Sequence, residues 1–423
     1  MHLLALNLTE LLIALFRATL ICANTDDKAE WDWACFRDAR VWEAHGAVVA
    51  EYARYLPGSF GHTPRNIAQK ITSGYKAEEW MLYMYVINPG LLLRLLPRRY
   101  FLHFCRLVAG VRVACQRSVK IDQLRPAHEH LIQYVEQFEA WYYQRRLDRL
   151  HFVRPCIHLL VHLIPEIRDV GSAPTHSQYT MENYIGNITK EGNQHVTPQE
   201  NIVQRAEIRV QEIGMQAMYP QLVHRTLDPA SAVDLGDGFV LMRARERTQH
   251  NVQLHSEHVA IHSFLRRQNI PVRAEWIPRF QRWARLRLPT GQIGRTAWKE
   301  CAWEAAGRVP RRARMLADNT YAEVQYYFQL MHEQKDLTLV MLAPYTTVDA
   351  ELYEETFGVL SVCTPQPNKR RVLHIKQVAA VVAMFPFPES NKFYVGDKPG
   401  LDITPLQGYM EPDNELEEDD DIA

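Results

Sequence analysis

The apolar residues of this chain change their period partway along it, and that change constrains the fold more than any other feature. Up to about residue 150 they recur at intervals of three and four. From Ala322 to Val395 they gather instead in short runs rich in β-branched and aromatic residues, separated by Pro, Asn and Asp. The first pattern lines one face of a helix and the second suits strands. The expectation is therefore an α+β chain, mainly α-helical over its N-terminal two-thirds and ending in a small antiparallel β-rich domain, a compact sheet or barrel. At 423 residues, 47% hydrophobic and 23% charged, it is long enough to bury two or three cores.

Residues 1–154 read as an all-helical unit. The first 23 are apolar enough to suggest a signal peptide, but no Lys or Arg precedes the run and Glu10 and Arg17 interrupt it. Leu4, Leu8, Leu11, Leu12 and Leu15 repeat at helical spacing, which reads as a buried amphipathic helix and gives no membrane partner. Further helices are expected over Val41–Tyr55, over Ala77–Val86 up to Asn88-Pro89-Gly90, over Leu91–Val108 with a break at Pro97, and over Gln123–Arg149. Residues 155–220 are also helical, cut into pieces by Pro165, Gly171, Pro174, Gly186, Gly192 and Pro198. Residues 221–320 read as a basic connector with a few helices such as Ser256–Gln268, and 321–402 as the β module. Residues 403–423 read as a disordered acidic tail, too poor in apolar side chains to offset the entropy of ordering.

A net charge of −1 conceals a strong asymmetry: between Arg243 and Met315 stand sixteen Arg and Lys against five Glu. Such a block attracts phosphate backbones, and within it Arg279, Arg282, Arg285, Arg287, Arg311, Arg312 and Arg314 are the candidate DNA contacts, salt-dependent and insensitive to sequence. Arg145, Arg146 and Arg149 beside Tyr142 and Tyr143 mix cations with aromatics in the same way, although a solvated helix face or internal ion pairs would look alike. The seven cysteines are scattered without a Cys-x-x-Cys pair, which supports neither a zinc module nor a disulfide framework and fits a reducing compartment.

His158 and His162 lie four apart on one helix, as in zinc sites, but Leu159-Leu-Val161 between them lacks the Glu of a metalloprotease motif, and packing is the favoured role. His151, His176 and His195 are further candidates without fixed geometry. Gly291-Gln-Ile-Gly294 and Asp234-Leu-Gly-Asp-Gly238 lack the pattern of phosphate loops, and no nucleophile motif stands out.

Several stretches together resemble the fungal branch of CACTA-type (En/Spm-like) DNA transposases. They include Leu6–Arg17, Thr25-Asp-Asp-Lys28, Trp31-Asp-Trp33, Tyr55–Phe60, Lys70–Lys76, Tyr142–Arg146, Arg149–Arg154, Cys156–Leu163, Ser177–Asn187, Arg282–Pro289, Ala322–Phe328 and Lys398–Asp402. The resemblance implies an RNase H-like catalytic domain holding two magnesium ions on three carboxylates for in-line phosphoryl transfer. Tyr179-Thr-Met-Glu182 matches the motif of the last carboxylate. The first two are aspartates upstream of a helical insertion, one of them just before a Met-His pair that Met1-His2 matches, so neither aspartate has a position in this sequence.

On that basis residues 1–154 correspond to the insertion domain and 155–220 to the catalytic-helix remnant. Glu182 is the remaining catalytic and metal-binding position, able to hold magnesium only if completed by the two aspartates; otherwise it is a carboxylate favoured at a helix N-terminus. The expectation is a transposase-derived nuclear protein, inactive in strand cleavage alone and without a cofactor of its own, that associates with the DNA backbone or chromatin and with intact transposase subunits. The alternatives are a protein-interaction scaffold that does not bind DNA and a non-functional transposon remnant.

Overall fold

The computed structural model describes residues 2–71, 74–116, 118–191, 197–222, 232–246, 248–305, 314–317, 320–333, 335–387 and 390–396. The acidic tail, Lys398–Asp402, His195, Arg311 and Arg312 lie outside them. The chain is α+β, and every strand pairing among the described residues is antiparallel.

The N-terminal leucines behave as their spacing demands. A π-helical turn at His2–Asn7 leads into α1 (Leu8–Phe16), and Leu4, Leu8, Leu11, Leu12 and Leu15 are all buried. α2 (Ala39–Tyr52) starts where Asp38 accepts the Arg40 N–H, and the single turn α3 (Ile67–Lys70) starts where Asn66 accepts from Ala68 and Gln69. α4 (Ala77–Leu82) does not stop at Asn88-Pro89-Gly90 as expected. A π-helical turn carries it into α5 (Asn88–Leu92), because Pro89 sits in the first turn, where its missing N–H costs nothing. Pro97 then starts α6 (Arg98–Ala114), which pairs with α7 (Ile121–Phe138) so closely that a Cβ on Gly110 would lie 2.5 Å from Leu131 Cγ. The helix expected to reach Arg149 ends earlier: a π-turn closes at Tyr143, and Gln144 and Arg145 take left-handed backbone. α8 (Pro155–His158) and α9 (Leu160–Val170) follow, the latter closed by Gly171 at φ 90°. α10 (Tyr179–Glu191) and α11 (Pro198–Met218) form a hairpin, and α11 has no buried residue. Among the described residues no helix is long and apolar enough to cross a membrane.

One buried ion pair closes the helical unit. Arg149 gives Nε and Nη2 to the two oxygens of Asp26, at 2.9 and 2.5 Å, and its guanidinium lies over Trp31, Trp33 and Phe152. Trp31 Nε1 also donates to Asp26 at 3.1 Å. Desolvation, the largest single influence, pushes the Asp26 carboxyl up, but the hydrogen bonds from Arg149 and Trp31 and the charges of Arg149 and Arg146 outweigh it, and its pKa falls below 3.8.

The stretch expected as a connector is part of the sheet. β1 (Val233–Asp234), β2 (Val240–Arg245), β3 (His250–Asn251), β4 (Arg279–Arg287), β5 (Ile293–Arg295) and β6 (Arg314–Ala317) precede the long hairpin β7 (Thr320–His332) and β8 (Lys335–Pro344). β9 (Val362–Cys363), β10 (Arg371–His374), β11 (Val378–Pro386) and β12 (Phe393–Gly396) complete a sheet ordered β1-β2-β4-β7-β6-β11-β12-β9, with β8 also paired to β7 and β10 to β8. A bulge at Gln325 resets β7: Val324 pairs with Leu342 but Tyr326 with Met341, so Ala322, Val324 and Tyr327 face one core, and Tyr326, Phe328 and Leu330 the other. α12 (His255–Arg267) covers that second face with Ala260, Ile261, Phe264 and Leu265. α13 (Ala297–Ala305) follows β5, and α14 (Ala350–Glu355), capped by Asp349, follows β8.

Sheet and helices share a core. Phe385, Phe387 and Tyr394 pack into the helical cluster, Tyr52 stacks on Phe385, and Tyr394 donates to the Ile87 carbonyl at 2.7 Å. Gly90 is required there, since a Cβ would come within 2.3 Å of the Tyr394 ring.

Both contacts can be tested through stability. Gly90→Ala is expected to cost about 1–3 kcal/mol by overpacking, read as a lower denaturant midpoint. Asp26→Ala leaves a buried guanidinium unpaired and is expected to cost about 3–5 kcal/mol. Because the folded pKa of Asp26 is depressed, the pair's stabilisation is complete above the unfolded pKa and is lost as pH falls through the folded value. Acid unfolding below about pH 4 should therefore carry this group's proton uptake in the wild type and lose it in Asp26→Ala.

Candidate nucleic-acid interface and the Glu182 region

Glu182 lies in the first turn of α10, its N–H bonded to the Gln178 carbonyl at 2.9 Å, where the helix dipole favours a carboxylate. Its Oε1 is 3.4 Å from His2 Nε2, and both side chains are about half exposed. The π-turn that carries His2 packs against α4 and α8. Among the described residues no third His, Cys, Asp or Glu joins a group able to hold a metal. One carboxylate and one imidazole do not fit magnesium, which takes six oxygen ligands in near-ideal octahedral geometry.

The described candidate arginines differ in their surroundings. Arg279 opens β4 and is exposed. Arg282 is tied down: Nε and Nη2 reach Glu246 at 2.9 and 2.5 Å, and the guanidinium lies over Trp298 and Tyr326. Arg285 is 7% exposed, and Arg287 is half-buried at the end of the strand. Arg314 starts β6, paired with Glu323 in register. β4 therefore spends most of its charge inside the fold.

The other aromatic and cationic cluster divides in the same way. Tyr142 and Arg149 belong to the core, and Arg146 pairs with Asp148 at 2.6 Å, while Arg145 remains exposed. Two further features lie outside the residues that the sequence singles out. Glu257, on α12, is buried beside Tyr326; desolvation raises its carboxyl pKa against the pull of Tyr326, Arg370 and Arg282. His258 and His262, four apart like His158 and His162, both place Nε2 on the Trp276 carbonyl, at 3.1 and 3.0 Å. Burial lowers the His262 pKa, and the charges of His258, Arg266 and His332 lower it further. The i, i+4 spacing is a visible signal for this pair, but its acceptor is not.

Of the remaining histidines, His158 and His162 are exposed with their Nε2 atoms 3.1 Å apart, His176 reaches the Gly171 carbonyl at 3.2 Å, and His151 packs edge-on against Phe152.

Comparison with models of known protein families, with curated proteins and with solved structures finds no match for this chain.

Arginines that hold the fold and arginines free to meet a ligand should separate experimentally. Arg285→Ala is expected to cost about 1–3 kcal/mol by leaving buried groups unpaired, whereas Arg279→Ala should stay within about 0.5 kcal/mol of wild type. Thermal denaturation of the two variants distinguishes them.

Proposed function

We propose that this chain descends from a CACTA-type transposase and associates with the phosphate backbone of DNA in the nucleus, without cutting it as it stands. The observation that carries the reading is the contact between His2 and Glu182. In the family that the sequence resembles, a Met-His pair follows one catalytic aspartate and the Tyr179-Thr-Met-Glu182 motif carries the last carboxylate. Here the two matching positions, 180 residues apart, lie within 3.4 Å. A shared ancestry would account for the two positions lying side by side.

A second support comes from the stretches that carried the likeness. Asp26, Trp31, Trp33, Arg149 and Phe152, from three of them, build one buried cluster. A shared helical scaffold would account for the likeness of those stretches. The magnesium chemistry of the family is no part of the activity proposed, because the donors beside Glu182 do not fit that ion.

DNA association rests on exposed Arg279 together with the basic stretch that continues through Arg311 and Arg312. Replacing these three with Ala is expected to weaken duplex binding and to flatten the plot of log affinity against log salt, by about 0.9 for every phosphate no longer neutralised. A gel-shift titration reads both quantities. Absence of duplex binding at low salt, or a salt slope unchanged in the variant, would remove the DNA half of the proposal.

One observation favours a second reading, a scaffold for other protein chains. On α11, Val203, Val210, Ile213 and Met218 are more than half exposed, and Met181 and Ile185 continue the apolar surface on α10. Under that reading Val210→Glu with Ile213→Glu abolishes capture of an intact transposase subunit and leaves DNA affinity unchanged.

A further inference from the structure

We propose that His158 and His162 form an open chelate for a divalent transition-metal ion of the copper and zinc class. The two imidazoles lie on successive turns, His158 ending α8 and His162 in the first turn of α9, and meet tip to tip with Nε2 atoms 3.1 Å apart and ring planes at 72°. An ion about 2.0–2.1 Å from each nitrogen, the usual metal–imidazole distance, would see them at an angle of roughly 100°. That angle lies between the square-planar and tetrahedral values, and both rings are at the surface, where they can turn toward the ion.

The second histidine pair provides the contrast. His258 and His262 have the same spacing, but the Trp276 carbonyl occupies both of their Nε2 atoms. The imidazoles of His158 and His162 have only each other as hydrogen-bond partners among the described residues, and both residues are exposed. Without metal, one Nε2–H donates to the other Nε2. On binding, that proton moves to Nδ1 of the same ring, and two Nε2 lone pairs become available to the ion.

Imidazole nitrogen suits copper, nickel and zinc, and is a poor partner for magnesium. Among the described residues no third ligand side chain joins the pair, so the ion keeps open positions for water or for a donor from a bound partner. The site is independent of the transposase reading, since neither Glu182 nor any arginine takes part in it.

The test is calorimetric titration of the full chain, stripped of metal, with Cu²⁺, Zn²⁺ and Mg²⁺, followed by electron paramagnetic resonance of the copper form. The expected result is one equivalent of ion bound, Cu²⁺ more tightly than Zn²⁺ and Mg²⁺ not at all, with nitrogen hyperfine structure from two imidazoles. Each single variant, His158→Gln or His162→Gln, should weaken binding by more than the roughly 10–100-fold seen when an outer-shell partner is removed. The double variant should lose the equivalent while keeping the wild-type circular dichroism spectrum, because both side chains are at the surface. Exposed Cys301 is the competing soft ligand. An equivalent that survives in the double variant, or a wild-type chain that takes up no Cu²⁺, overturns the proposal.

Discussion

The seat of Tyr394 against Gly90 is the contact on which the union of helices and sheet depends. A tyrosine ring needs a gap the size of a side chain in the opposing helix, and Gly90 supplies it within an otherwise closely packed turn. Once seated, the phenol satisfies the Ile87 carbonyl, and β12 is fixed against α5. β12 holds β11, β11 holds β6, and β6 joins the long β7–β8 hairpin. Arg112 adds a polar staple between the Tyr85 and Val359 carbonyls. The helical unit and the β module are thus joined by a common apolar core, and a change at residue 90 reaches the sheet through consecutive hydrogen-bonded strands.

Periodicity makes most of the helices and the later strands legible in the sequence, because most of them bury a regular stripe. Leu4 to Leu15, the entry of α6 after Pro97, the stop at Gly171 and the β7–β8 pair all follow from local rules. The errors fall where a partner distant in sequence overrides a local signal. Asn88-Pro89-Gly90 looks like a helix stop, yet the proline is harmless at a helix start and the glycine answers to Tyr394, 304 residues away. β2 and β4 are hidden because frequent arginines mask their apolar residues, and members of that series are neutralised by groups such as Glu246 that no local pattern identifies.

The candidate site divides along the same line. The first-turn position of Glu182 and the facing of His158 and His162 are local properties and are readable. The neighbour of Glu182 is not, since His2 arrives by way of the packing of the first turn on α4 and α8. Arg149 is the plainest case. Next to aromatics it looks like a nucleic-acid contact, but its partner Asp26 is 123 residues earlier, and together they form an interior ion pair.

These placements change what the charge asymmetry means. A surplus of cations in a sequence window attracts phosphate only through those that reach solvent, and the fold has already used Arg282 and Arg285. The positive field available to a ligand is therefore weaker along β4 than the window's composition implies, and it is concentrated toward Arg279 at the strand's start. Ion chemistry is sorted in a similar way. A hard ion such as magnesium needs several converging oxygens, which the described residues around Glu182 do not provide, whereas a borderline ion is suited by a pair of imidazole nitrogens such as α8 and α9 bring together. The surroundings of Glu182 and the facing rings of His158 and His162 thus suit different classes of ion.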